Sequence, residues 1–297
     1  MIVLGYRCLQ REFQALITRQ PTQGSKPSTD DVHQMRIATR RLRVALRLFG
    51  HMLPRPQAKE LKRELRWFAR TLGTVRDLDV HAHSFRSYLR GATPEHVQLL
   101  GDYEMQLRRD RTAARTALAA QFATPRYTEF MATFAAVLDG APSAAALRRW
   151  KSFRISDGAA EYLRTSKKRV FKLGREIGPD AQAKDLHRLR IRAKRLRYEL
   201  EFFLEVYPEL DAAAKATKGL QDLLGACQDS RLAGERLAAY TRALRRWRQE
   251  VPARVPRPVL GQWEAHQTQV GQEARLAFPA EWARFVHELK NTALNAA

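Results

Sequence analysis

Five side chains in "VHQMRIATRRLRVALRLF" (32–49) recur at intervals of three and four residues: His33, Arg36, Arg40, Arg43 and Arg47. That is the spacing of one face of a helix. Guanidinium forks grip phosphate or carboxylate oxygens two at a time, and an imidazole adds an N–H donor with or without charge. The chemistry on offer is therefore recognition of an anion with many oxygens in a row. At 100° per residue the five fall within an arc of about 80°, and from 33 to 47 they climb about 21 Å. Met35, Ala38, Leu42, Leu46 and Phe49 occupy the opposite side. Like charges at this spacing cost a helix about 0.2–0.5 kcal/mol per pair. From Arg36 to Leu61 the sole acid is Glu60, so nothing in the ridge offsets that cost.

The ridge occurs twice. "DVHQMRIATRRLRVALRLF" (31–49) aligns with "DLHRLRIRAKRLRYELEFF" (185–203), pairing Asp31 with Asp185, His33 with His187, Arg36 with Arg190 and Ile37 with Ile191. Further identities are Arg41/Arg195, Leu42/Leu196, Arg43/Arg197, Leu46/Leu200 and Phe49/Phe203, while Arg40 faces Lys194. Glu201 stands where the first copy has Arg47, so the second ridge of His187, Arg190, Lys194 and Arg197 is one turn shorter. Arg41 and Arg195, beside the ridges, complete the paired basic set. Downstream, "LGTVRDLD" (72–79) matches "LGACQDSR" (224–231) more faintly. Neighbouring helices add Lys59, Arg63, Arg66 and Arg70 on one face, and Arg164, Lys168, Lys172 and Arg175 on another.

The elements that must position these residues are helices. Periodicity near 3.6 runs through nearly every segment, and runs of alternating β-branched residues are missing. The boundaries expected from breakers and caps are 3–19, 28–53, 55–72, 76–90, 94–122 and 126–138, then 155–177, 181–206, 209–225, 228–250, 257–277 and 279–294. "STDD" (28–31) supplies capping oxygens, and "DGAPSAAA" (139–146) reads as a hinge. The expected fold is all-α. It is a single domain over 1–297, duplicated from two units of about six helices (about 1–140 and 150–297), related by a pseudo-twofold axis with the ridges lining a basic central groove or channel.

Lys and Arg number 53 against 31 Asp and Glu, a net charge of +22. Such an excess favours nucleic acid, anionic membrane or polyphosphate as partner. No apolar run reaches the roughly 20 residues of a membrane span, and the opening run is too short for a signal peptide. Cys8 and Cys227 lie far apart, which argues against a disulfide framework and for a reducing cytoplasm.

Catalysis is not expected. His33 and His187 lack partners at metal-ligand spacing and a nucleophile motif, and a phosphate-binding "GxxxxGK[ST]" loop is missing. Asp77, Asp79 and Asp229 read as caps or as holders of arginines rather than as a metal site. Trp67, Trp247 and Trp282 are isolated and the ridges carry no aromatic, which disfavours readout of bases; nonspecific nucleic-acid binding on charge alone is the alternative function.

The twofold His-x-x-Arg-Ile-x-x-(Arg/Lys)-Arg-Leu-Arg motif, at 33–43 and 187–197, resembles the conserved histidine α-helical domain, or CHAD, family. "LGTVRDLDV" (72–80) resembles its Leu-Gly-x-x-Arg-Asp-x-Asp-Val signature. The resemblance implies an all-helical, pseudo-twofold protein whose basic central surface binds inorganic polyphosphate. Members of that family often occur near polyphosphate granules and are not themselves known as enzymes; no cofactor, metal or membrane is expected here, and the expected location is cytoplasmic. Some relatives carry a triphosphate-tunnel domain with Glu-x-Glu-x-Lys. The nearest string here, "ELEFF" (199–203), lacks the lysine, so a stand-alone module is expected. Glu201 and Gln228 depart from the motif and imply unequal halves.

Overall fold

The computed structural model describes residues 2–22, 25–140, 155–178, 180–247 and 257–292. Among them run ten α-helices and no strand: α1 (Ile2–Ile17), α2 (Thr29–Leu48), α3 (Arg55–Arg90), α4 (Pro94–Leu99), α5 (Gly101–Phe122), α6 (Pro125–Asp139), α7 (Ile155–Arg175), α8 (Ala183–Phe203), α9 (Asp211–Trp247) and α10 (Arg257–Lys290). The all-α expectation holds. From 141 to 146 the segment read as a hinge lies outside the described residues.

Several expected breaks are bridged. α3 runs unbroken through Gly73, and α9 runs through Gly225. A helical glycine costs only about 1 kcal/mol, and Leu72 and Val75 are buried on either side of Gly73, as Leu220 and Leu224 are before Gly225. α10 likewise continues through Pro279, where Phe278, buried Phe285 and the Trp282 indole pack on both sides. Tertiary burial outweighs the local breaker. The second half therefore has four helices among the described residues, where about six were expected.

α2 begins where the sequence said it would. Ser28 is extended, its hydroxyl accepts from the Asp31 N–H at 3.0 Å, and its own N–H donates to Asp31 Oδ2 at 3.0 Å. This reciprocal box satisfies free N–H groups and places a carboxylate at the positive end of the helix. Arg115 of α5 clamps the same corner, donating to the Pro27 carbonyl, the Thr29 hydroxyl and buried Asp79 of α3.

The apolar stripe of α2 (Met35, Ala38, Leu42, Leu46) is buried against α1 and α3. α8 buries Leu189, Ala193, Leu196 and Leu200 between α7 and α9, and α10 lies along α9. The two groups join where α2 packs on α8. At the C-terminal end of that seam Phe49 meets Phe203 edge to face, ring centres 6.3 Å apart, and Phe202 at 6.5 Å. The basic faces of α2 and α8 are thus carried on one shared core. A smaller aromatic cluster around Phe85, Tyr103 and Trp263 ties together the far ends of α3, α9 and α10. There His81, pushed down to about 4 mainly by burial, lies 2.7 Å from the Tyr103 hydroxyl.

Phe49→Ala removes a ring that is 1% exposed at the joint between the two groups. We expect it to cost about 3–5 kcal/mol, read as a lowered urea midpoint. Leu276→Ala, at a side chain 81% exposed, should change the midpoint by less than about 0.5 kcal/mol.

Candidate anion-binding site

Ridge residues of α2 and α8 meet in one cluster. Arg36 and Arg40 of α2 lie close enough to Arg190 and Lys194 of α8 for their charges to act on one another. Two carboxylates stand among them. Asp77 of α3 reaches Arg36 Nη2 at 3.2 Å, and Asp229 of α9 faces Arg190 and Lys194. Asp77 and Asp229 occupy matching positions of the two downstream motifs; Asp77 pairs with an arginine, whereas Asp229 acts on Arg190 and Lys194 through its charge.

Three guanidiniums and the Lys194 amine share the cluster with two carboxylates, and the crowding shows in the titrations. Burial, then Arg40, holds Arg36 below its ordinary value; burial also lowers Arg190, against the pull of Asp229. Lys194 is pushed down to about 6, first by burial and then by Arg40, Arg190 and Arg36. At neutral pH in the ligand-free protein it is chiefly a free amine. Asp229 is raised by desolvation, with Arg190 and Lys194 opposing; its side chain keeps open surface, so solvent moderates the push.

The histidines head the cluster differently. His33 is half-buried beside Arg76, and burial, then Arg76, depresses its pKa. His187 Nδ1 lies 2.9 Å from Gln228 Oε1. An oxygen partner requires a proton on Nδ1, which leaves Nε2 as the other contact atom. Gln228 is the counterpart of Arg76, so the motif departure replaces a charge with a neutral partner for the imidazole.

Beyond the cluster the α2 ridge continues through Arg43 and Arg47, which keep open surface but are lowered by partial desolvation and then by neighbouring arginines. Arg43 is near Arg66 of α3. A cavity of about 480 Å³ then opens between α2, the start of α3 and Tyr162 of α7.

Other residues of the expected set lie elsewhere. Arg41 is bound by Glu201 (2.7 Å) and Glu12 (2.9 Å), with its guanidinium 5.2 Å from the Phe202 ring. Arg195 is held at 2.6 Å by Glu199, which is fully buried. Arg197 approaches Glu201 at 3.3 Å and lies over Tyr198 at 4.6 Å. Arg63 turns away from Arg66 to Glu64 (2.7 Å) and Glu60 (3.5 Å). Arg164 pairs with Glu161 at 3.1 Å. Arg70 and Lys168 are exposed on α3 and α7. Sequence reasoning missed Arg55 and Lys62, which line the cavity with Lys59 and Arg66. Their spacing of 55, 59, 62 and 66 was a visible signal.

Among the described residues no group of three or more His, Cys, Asp or Glu is arranged to hold a metal ion. No described helix is long and apolar enough to cross a membrane.

Fold and site together define an all-helical module with a basic seam suited to a multiply charged anion. The chain belongs to the CHAD domain family, whose profile matches residues 7–238. The crystal structure of the CHAD domain from the plant Ricinus communis is similar at 26% identity and a TM-score of 0.59, covering 98% of this chain and 86% of that one. PptA from Streptomyces chartreusis shares the fold at 18% identity and a TM-score of 0.68, covering 94% of this chain and 98% of that one. Uncharacterized protein Rv2226 of Mycobacterium tuberculosis is 30% identical over 213 residues, 70% of this chain and 40% of its own length. The chain thus spans about two fifths of that relative.

Lys194 gives a stability test. Its pKa of about 6 in the folded chain lies below the ordinary value of about 10.4, so between those limits the unfolded chain binds the extra proton and stability rises with pH. Lys194→Met should remove that rise and stabilise the ligand-free protein at pH 7, read from urea midpoints between about pH 6.5 and 9.5.

Proposed function

We propose that this protein binds inorganic polyphosphate, without catalysis, along the seam of α2 and α8. The observation that carries the reading is the convergence of Arg36, Arg40, Arg190 and Lys194 from two helices against only Asp77 and Asp229. An extended chain of phosphates supplies one negative charge per unit along such a surface, and each guanidinium engages two of its oxygens. Membership of the CHAD family supports the same ligand. The two halves act as a pseudo-twofold pair within one domain, each offering a His-headed ridge. A cytoplasmic location near polyphosphate stores fits this role.

Nonspecific nucleic-acid binding is the rival outcome, because the net charge of +22 attracts any polyanion. Long polyphosphate should bind well ahead of RNA of equal charge, and its chain length should stay unchanged in the bound samples. Arg36→Ala with Arg190→Ala should weaken binding by about 1.5–3 kcal/mol for each arginine lost. Arg109→Ala with Arg242→Ala, two exposed residues elsewhere on α5 and α9, removes the same charge and should have a much smaller effect. Equal losses from both pairs would assign the binding to net charge.

The histidines add a second test. Bound phosphate favours imidazolium, whereas burial and Arg76 disfavour it at His33 in the ligand-free protein. Binding should therefore strengthen as pH falls toward about 6. His33→Ala with His187→Ala should bind more weakly and gain less on acidification, and the His→Gln pair, which keeps an N–H donor, should recover part of the affinity. Phosphate termini titrate in the same range, so parent and variants are compared by calorimetry at each pH.

A further inference from the structure

The two ends of the basic seam are chemically unlike. On the α8 side, the helix turn that matches Arg47 carries Glu201, which takes up Arg41 and Arg197. Glu205 meets Arg7 nearby, and Asp211 meets Lys215 at the start of α9. These cations are matched by acids. On the α2 side the cavity of about 480 Å³ is lined by Arg47, His51, Arg55, Lys59, Lys62 and Arg66, with Tyr162 of α7, and no carboxylate is among its described lining residues. Glu60, the nearest acid in sequence, turns to Arg63 on another face of α3. Lys62 lies across Gly50: a Cβ there would come within 3.4 Å of its Nζ.

The volume falls in the range of small-molecule sites, roughly 300–1,000 Å³. Gathering cations in a concave site without acids raises the local concentration of anions. The cavity also continues the central cluster, since Arg43 bridges toward Arg66 and Arg47 lies about 10 Å along the helix from Arg40. A terminal phosphoryl group carries more charge than an internal one, because its second acidic oxygen titrates near pH 6. Five cations line the cavity and Glu199 acts on Arg47 alone among them, an excess of positive charge that suits the doubly charged end.

We propose that the cavity between α2, α3 and α7 is a separate subsite for the terminal phosphoryl groups of condensed phosphate, so that a bound chain runs in one direction from the α2–α8 cluster into it. The proposal rests on polyphosphate as the ligand of the central cluster. Free tripolyphosphate presents the same terminal chemistry and occupies the cavity alone.

Lys59→Gln with Lys62→Gln, at two sites on the solvent side of α3, tests it, with thermal unfolding to confirm the fold. Three probes are titrated: tripolyphosphate, long polyphosphate, and long polyphosphate with both ends blocked as monoesters. The variant should lose about tenfold in tripolyphosphate affinity, and Arg109→Ala with Arg242→Ala, which removes the same charge elsewhere, should leave that affinity within about twofold. Blocking the ends should weaken long-chain binding to the parent and leave the Lys59/Lys62 variant unaffected. Equal sensitivity of parent and variant to blocking, or unchanged tripolyphosphate binding in the variant, overturns the subsite. Should Arg36→Ala with Arg190→Ala leave long polyphosphate binding intact while the cavity variant behaves as stated, the central-cluster reading fails and the cavity stands as the site. The two failures are distinguishable.

Discussion

Repulsion among Arg36, Arg40, Arg190 and Lys194 is the constraint on which the structure turns. Three guanidiniums and the Lys194 amine, from two helices, are brought together in a partly desolvated seam, where an unpaired charge is costly. The apolar contacts beneath hold them there. Leu42 and Leu46 on α2, Leu196 and Leu200 on α8, and the Phe49–Phe203 pair bury the opposite faces of the same helices. A helix whose apolar stripe is fixed has no freedom to turn its basic stripe elsewhere. Asp77 and Asp229 relieve part of the repulsion, and the polyanion proposed as ligand would relieve more. Lys194, held near a pKa of about 6 by burial and by three neighbouring arginines, is the residue on which this crowding falls hardest.

The same logic explains why the basic residues divide into two populations. Arg41, Arg195 and Arg197 are answered by Glu12, Glu199 and Glu201, and two of them also lie over aromatic rings. They are components of the joint between α2 and α8. Arg111 and Arg115 both hold buried Asp79, tying α5 to α3 and to the start of α2. Only where carboxylates are sparse does charge remain for a ligand. Net charge alone would not distinguish these groups; the pairing does.

Much of this was legible in the sequence because it rests on helical periodicity. The all-α class, the cap at Ser28 and the opposition of basic and apolar stripes on α2 follow from residue spacing. So does the meeting of two related helices, given the repeat of 31–49 at 185–203. The unbroken courses of α3, α9 and α10 did not follow, since Gly73, Gly225 and Pro279 read as breakers and only burial around them overrides that reading. Nor did the pairing of Arg41 with Glu12 and Glu201, which lie far off in the chain. Arg63 was misplaced because a single face was assumed for α3, where acids at 60 and 64 draw it aside.

The salt dependence of polyphosphate binding tests the central claim most directly. If the seam binds by charge pairing, log K should fall linearly with log salt concentration, with a slope of about −0.7 for each phosphate neutralised on a single-stranded polyanion. Removing Arg36 and Arg190 together should flatten the slope by about one to two units. The scattered pair Arg109 and Arg242 should leave it nearly unchanged. A slope lowered equally by both pairs, or untouched by loss of Arg36 and Arg190, would contradict the account.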